Sequence, residues 1–195
     1  NLDIRSFVYD LLRQTDDHLF VLHFYKALQN VTILDPTCGS GAFLFAAMNI
    51  LEPLYEVCIE RMQEFHTKNP LWFKAELDEI SHKYRSNIQY FIFKSIILRN
   101  LYGVDIMNDN VIACRERLFA IWDEEYTAHC RGEASDEARE TARFIINRNI
   151  INGNALTLMC VDADGNDTTA PIVFSEWTLI GATQMQRSDY TMADR

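Results

Sequence analysis

Three short stretches of this sequence hold residue types that could do chemistry. The first is Asp35-Pro36-Thr37-Cys38-Gly39-Ser40-Gly41-Ala42-Phe43, a carboxylate followed by a turn with two glycines. Glycines lacking Cβ atoms let the backbone approach a ligand closely, and a helix start offers unpaired N–H groups. The second is Asn100-Leu101-Tyr102-Gly103-Val104-Asp105-Ile106, in which Asp105 ends a short apolar run. An acidic residue at the end of the second strand of a dinucleotide fold accepts bonds from paired ribose hydroxyls. The third is Asn149 to Leu158, where the amide oxygen of Asn154 can accept a hydrogen bond and Ala155 and Leu156 follow it. Taken alone, Gly153-Asn154 is simply a turn.

The elements around these stretches are those of a nucleotide fold. Val31 to Leu34 is rich in β-branched residues and reads as a buried parallel strand, and Ala42 to Leu51 reads as helix. Strand, glycine turn and helix together build a cofactor site at the carboxyl end of a strand. No Gly-Lys-Ser/Thr follows, which argues against a triphosphate-gripping loop. G-x-G-x-x-G is incomplete, because Leu44 stands where the third small residue would be. An acidic strand end suits a ligand carrying positive charge or donor groups better than a pyrophosphate. The methionyl end of S-adenosylmethionine is such a ligand. Leu101 to Val104 reads as the second strand, Asn110 to Trp122 as the helix after it. The spacing from the glycines to Asp105 far exceeds the usual offset of about twenty residues, and an intervening helical insertion would explain it.

The run Asp35-Pro36-Thr37-Cys38-Gly39-Ser40-Gly41-Ala42-Phe43-Leu44 resembles the cofactor motif of adenine-specific DNA methyltransferases of restriction-modification and related phage-defence systems. Asn100 to Ile106 and Asn149 to Leu158 resemble two further segments of that family, in the same order. The resemblance implies a doubly wound, Rossmann-like methyltransferase sheet of α/β class that binds S-adenosylmethionine. It implies that residues 35–43 surround the methionyl end, Asp105 binds the ribose and Ile106 packs on the adenine. Asn154 would bond the adenine amino group, and Ala155 and Leu156 would line that pocket. Amino-methylating members also carry Asn/Asp-Pro-Pro-Tyr/Phe, which holds the target amine and stacks on a flipped base. No such tetrapeptide occurs here. The resemblance covers about the first 160 residues and supports cofactor binding rather than transfer, so the sheet is expected to be incomplete and the chain a fragment. The rival from the same fold is a non-catalytic binding or assembly module. A nicotinamide enzyme would have shown the third glycine and a catalytic pair.

The remainder reads as scaffold. Residues 3 to 14 and His18 to Gln29 have helical periodicity, with Thr15, Asp16 and Asp17 as cap candidates. Pro53 is expected to interrupt the helix after the glycine turn. Leu54 to Phe65, Leu71 to Tyr84 and Asn87 to Leu98 read as further helices, their aromatics as core rather than a base-stacking platform. This divides the chain into an N-terminal helical segment (1–30), a cofactor-binding domain (31–160) with its insertion at 52–99, and a polar C-terminal segment (161–195). The 5 cysteines make no zinc spacing and read as free thiols of a reducing cytoplasm, with Cys38 as a small packing residue. No apolar run is read as a membrane span. The net charge of −10 argues that the DNA-holding surface lies mainly outside these residues, and the resemblance implies a restriction or specificity partner.

Overall fold

The structure is a computed structural model that describes residues 3–84, 87–130, 132–180 and 184–194. The others, including parts of the expected insertion and of the polar C-terminal end, lie outside the described residues.

Two capped helices come first. In α1 (Ile4–Gln14) the Asp3 carboxylate accepts the Arg5 N–H at 3.1 Å. In α2 (His18–Asn30) Asp17 accepts the N–H groups of Leu19 and Phe20 at 2.9 and 3.2 Å. Such caps satisfy donors that a helix leaves orphaned. Strand β1 (Ile33–Asp35) leads through the glycine turn into α3 (Ala42–Lys68).

Pro53 does not break α3, contrary to the sequence expectation. Its missing N–H and ring clash cost a helix interior about 3 kcal/mol. On the other side stand Leu51, Tyr55, Val57, Cys58, Ile59, Met62 and Phe65, all buried on this one helix. Each large apolar side chain removed from water contributes roughly 1.5–3 kcal/mol, so burial wins. By length and composition α3 could cross a bilayer, which corrects the reading that no run is long enough. In this fold α1, α2 and α5 pack around it.

The insertion continues as α4 (Lys74–Tyr84), α5 (Ile88–Ser95) and a single π-helical turn, Ile96–Asn100. Its aromatics are core: Phe91 and Phe93 are buried, and Tyr90 meets Tyr126 edge-on. Then come β2 (Leu101–Asp105), α6 (Asn108–His129), α7 (Asp136–Asn149) and β3 (Ile150–Asn154). Three buried side chains lock the strand entrances. Asn100 Nδ2 donates to the carbonyls of Leu28 and Val31, while its Oδ1 accepts from the Tyr55 hydroxyl. Asn149 Nδ2 donates to the carbonyls of Ile97 and Leu101.

The sheet is mixed, in the order β1-β2-β3-β4-β5. Its first three strands are parallel, pairing Asp35 with Gly103 and Asp105 with Asn152. Strands β4 (Met159–Val161) and β5 (Asp167–Pro171) then add antiparallel. A separate hairpin follows, β6 (Val173–Ile180) with β7 (Gln184–Thr191). The segment 161–195, expected from sequence only as polar, holds β5, β6 and β7. Alternation explains what the sequence reading missed. Tyr102 and Val104 face away from the main core and form a second cluster with Ile172 and Phe174. The hairpin covers a sheet face that would otherwise be wet, and buried Ser175 on β6 donates to Asp189 on β7 at 2.7 Å.

Candidate cofactor crevice

Parallel pairing of β1, β2 and β3 brings the three sequence segments to one end of the sheet, their carboxyl ends. There the Asp35 carboxylate accepts the Thr37 N–H at 3.1 Å and starts the turn. The Cys38 N–H donates to the Val104 carbonyl at 2.9 Å, anchoring the turn on β2. That approach is close: a Cβ on Gly103 would lie 3.0 Å from both Cβ and Sγ of Cys38. Gly41 begins α3 at a φ of 92°, and its own Cβ would meet Cys114 Sγ at 2.8 Å. No side chain caps α3, so the first N–H groups of that helix have no side-chain acceptor.

Asp105 sits at the centre. Only 8% exposed, it accepts the Gly39 N–H on Oδ2 at 2.9 Å. Its Oδ1 accepts the Met107 N–H at 2.8 Å and Asn110 Nδ2 at 3.2 Å. Asn152 Nδ2 donates to the carbonyls of Asp105 and Ile106 at 2.9 and 3.1 Å, joining β3 to the same point. The carboxylate therefore links the glycine turn, β2 and the start of α6. A carboxylate offers about four acceptor sites, and three are used.

The third segment is turned slightly apart. Asn154 Oδ1 accepts the Leu156 N–H at 3.0 Å, and its Nδ2 donates to Asp167 at 3.1 Å. Ala155 packs against the small core under the hairpin, whereas Leu156 is 95% exposed. Phe43, Ile106 and Met107, in or beside the first two segments, are also exposed. Of the residues named from sequence, Asp35 to Gly41 and Asp105 are joined by hydrogen bonds. Phe43, Ile106 and Leu156 are exposed apolar residues of these segments, and Asn154 bonds to Leu156 in its own turn and to Asp167.

Cys38 is buried, and its thiol is held above the ordinary range by the hydrogen bond to Cys114 and by burial. It stays protonated, which fits packing rather than nucleophilic work. Among the described residues no cluster of three or more His, Cys, Asp or Glu could hold a metal ion. A hollow of about 300 Å³ lies elsewhere, between α5, α6 and α7, lined by residues such as Tyr90, Trp122 and Ile145. Its walls are largely packing residues and carry no constellation comparable to Asp105 and the turn.

Sequence reading missed Asn110, Asn152 and Arg117. Asn110 stands five residues after Asp105 and Asn152 two before Asn154, so both lay inside or beside the segments singled out. Only the register of β2 on β3 shows what they hold.

Residues 11–174 match the family model described as MmeI, DNA-methyltransferase domain. The chain belongs to this family. The match takes in all three crevice segments and places this MmeI-type domain among restriction-modification DNA methyltransferases. No curated protein and no solved structure matches the chain. The mixed α/β architecture of the MmeI-type domain is that of a methyltransferase-like fold.

Proposed function

We propose that this chain is the S-adenosylmethionine-binding part of a DNA methyltransferase that modifies the exocyclic amine of adenine. The observation that carries the proposal is Asp105, a nearly buried carboxylate at the end of β2 bonded to the glycine turn. The residues fit the cofactor. Asp105 would accept a ribose hydroxyl on its remaining acceptor site, and exposed Ile106 would lie against the adenine ring. The uncapped start of α3 offers N–H donors to the methionyl carboxylate, while Asp35 favours the ammonium. Asn154 Oδ1 already holds the Leu156 N–H, but an amide oxygen has two lone pairs and can take the adenine amino group as well. Bound, the cofactor would supply an electrophilic methyl group for direct displacement by the target amine.

A second reading rests on one observation: none of the 195 residues forms Asn/Asp-Pro-Pro-Tyr/Phe. In that reading this chain binds cofactor, or assembles with partners, and transfers nothing itself. The acidic balance supports placing the DNA grip on other residues.

Calorimetric titration with S-adenosylmethionine, repeated on Asp105→Ala and with NAD as competitor, tests the binding reading. Saturable binding that NAD does not displace and that the variant loses supports it. Absence of binding in the unaltered chain refutes it. Transfer of radiolabelled methyl to adenine in duplex DNA by this chain alone would refute the second reading.

A further inference from the structure

The glycine turn is gripped from behind by a side chain that no motif marks. Arg117, on α6, donates from Nη1 to the Ser40 carbonyl at 2.8 Å and to the Ser40 hydroxyl at 3.2 Å. Its guanidinium also lies over the Phe45 ring, 4.3 Å from the centroid. Ser40 stands between two glycines of positive φ, Gly39 at 52° and Gly41 at 92°. Peptides flanked by glycine reorient with little steric penalty, so something must choose their direction.

The hydrogen bonds show what chooses it. The Ser40 carbonyl and the Gly41 N–H belong to one peptide plane and point opposite ways. With the carbonyl on Arg117, the Gly41 N–H donates to the Cys38 carbonyl at 2.8 Å. That carbonyl shares its plane with the Gly39 N–H, which donates to Asp105 Oδ2 at 2.9 Å. A single chain of donors and acceptors thus runs from the Arg117 guanidinium through two peptides to the Asp105 carboxylate. Each link polarises the next in the same sense, from cation to anion.

We infer that Arg117 is a positioning residue for the cofactor: it fixes both turn peptides and, through them, the orientation of the Asp105 carboxylate. The inference rests on the S-adenosylmethionine reading of the crevice. The exposed Arg117 guanidinium reaches the turn through its two bonds to Ser40.

The test is calorimetric titration of Arg117→Ala with S-adenosylmethionine, beside the unaltered chain, Arg117→Lys and Arg139→Ala. Arg139, on α7, pairs with Asp123 of α6 and controls for general loosening of α6. The dissociation constant is expected to rise about tenfold in Arg117→Ala, the size of one charge-assisted bond. Arg117→Lys recovers most of the loss, as does millimolar methylguanidinium added to Arg117→Ala, while Arg139→Ala binds normally. Unchanged affinity in Arg117→Ala overturns the inference, and so does a loss that neither lysine nor methylguanidinium repairs. Amide hydrogen exchange at Gly39, measured without ligand, reads the relay directly and must quicken in Arg117→Ala. If the unaltered chain fails to bind the cofactor, the cofactor reading falls. The exchange result then still decides whether Arg117 governs the turn.

Discussion

Gly41→Ala tests the geometry of the turn most directly. The residue has a φ of 92°, where a side chain is strained, and its new Cβ would lie 2.8 Å from Cys114 Sγ and 2.9 Å from Phe45 Cε2. Left-handed backbone costs an L-residue about 1–2 kcal/mol, and forcing an extra carbon into packed surroundings adds about 1–3 kcal/mol. The combined loss is about 2–5 kcal/mol, which for a domain of this size lowers the melting temperature by roughly 4–20 °C. Gly39→Ala is the internal control. Its φ is 52° but nothing lies within 4 Å of the added carbon, so only the backbone cost applies. Thermal and urea unfolding of the two variants should separate them, with Gly41→Ala the less stable. Adding Cys114→Ala to Gly41→Ala removes one obstacle, so the two changes should couple favourably by about 1 kcal/mol. Equal losses at both glycines, or strict additivity with Cys114→Ala, would refute the steric argument.

Other perturbations probe the frame. Asn100→Ala removes a fully buried side chain that ties Leu28, Val31 and Tyr55 together, and should cost roughly 2–4 kcal/mol by urea unfolding. Glu52 is half-buried, and desolvation followed by the charges of Glu56 and Glu125 raises its pKa. A carboxyl whose folded pKa lies above its unfolded value costs stability as pH rises through that window. Glu52→Gln should therefore raise the melting temperature at pH 7 and leave it nearly unchanged at pH 4. Burial pushes the Cys58 thiol up to about 12, and the hydrogen bond to Cys114 together with burial raises Cys38, so iodoacetamide at pH 8 should label half-buried Cys130 before either. Peptide mass spectrometry reads the order, and early labelling of Cys38 would refute its buried placement.

Much of the site was legible because its signals are local. Asp35, Gly39 and Gly41 adjoin in sequence, and Asp105 ends a run whose β-branched and aromatic content marks a strand. The N-terminal helices were legible from period and caps, which also act within a few residues. What escaped depends on partners distant in sequence. The continuity of α3 through Pro53 is decided by burial against α1, α2 and α5, which local propensity cannot register. The hairpin of β6 and β7 covers Tyr102 and Val104, about seventy residues earlier in the chain. Arg117 and Asn152 act on carbonyls presented by other segments, and nothing in their own neighbourhoods distinguishes them from surface residues.

The bonds already made by Asp105 have a kinetic consequence. Its oxygens hold Gly39, Met107 and Asn110 through the chain's own groups, so the crevice is braced from within the fold. A site ordered beforehand needs no slow rearrangement on encounter. In stopped flow, the observed association rate should climb linearly with ligand concentration and show no plateau. Loosening the turn would introduce one, because a fraction of molecules would then have to wait for the competent arrangement. On the proposed cofactor reading, stiffness here sets speed of capture as well as strength.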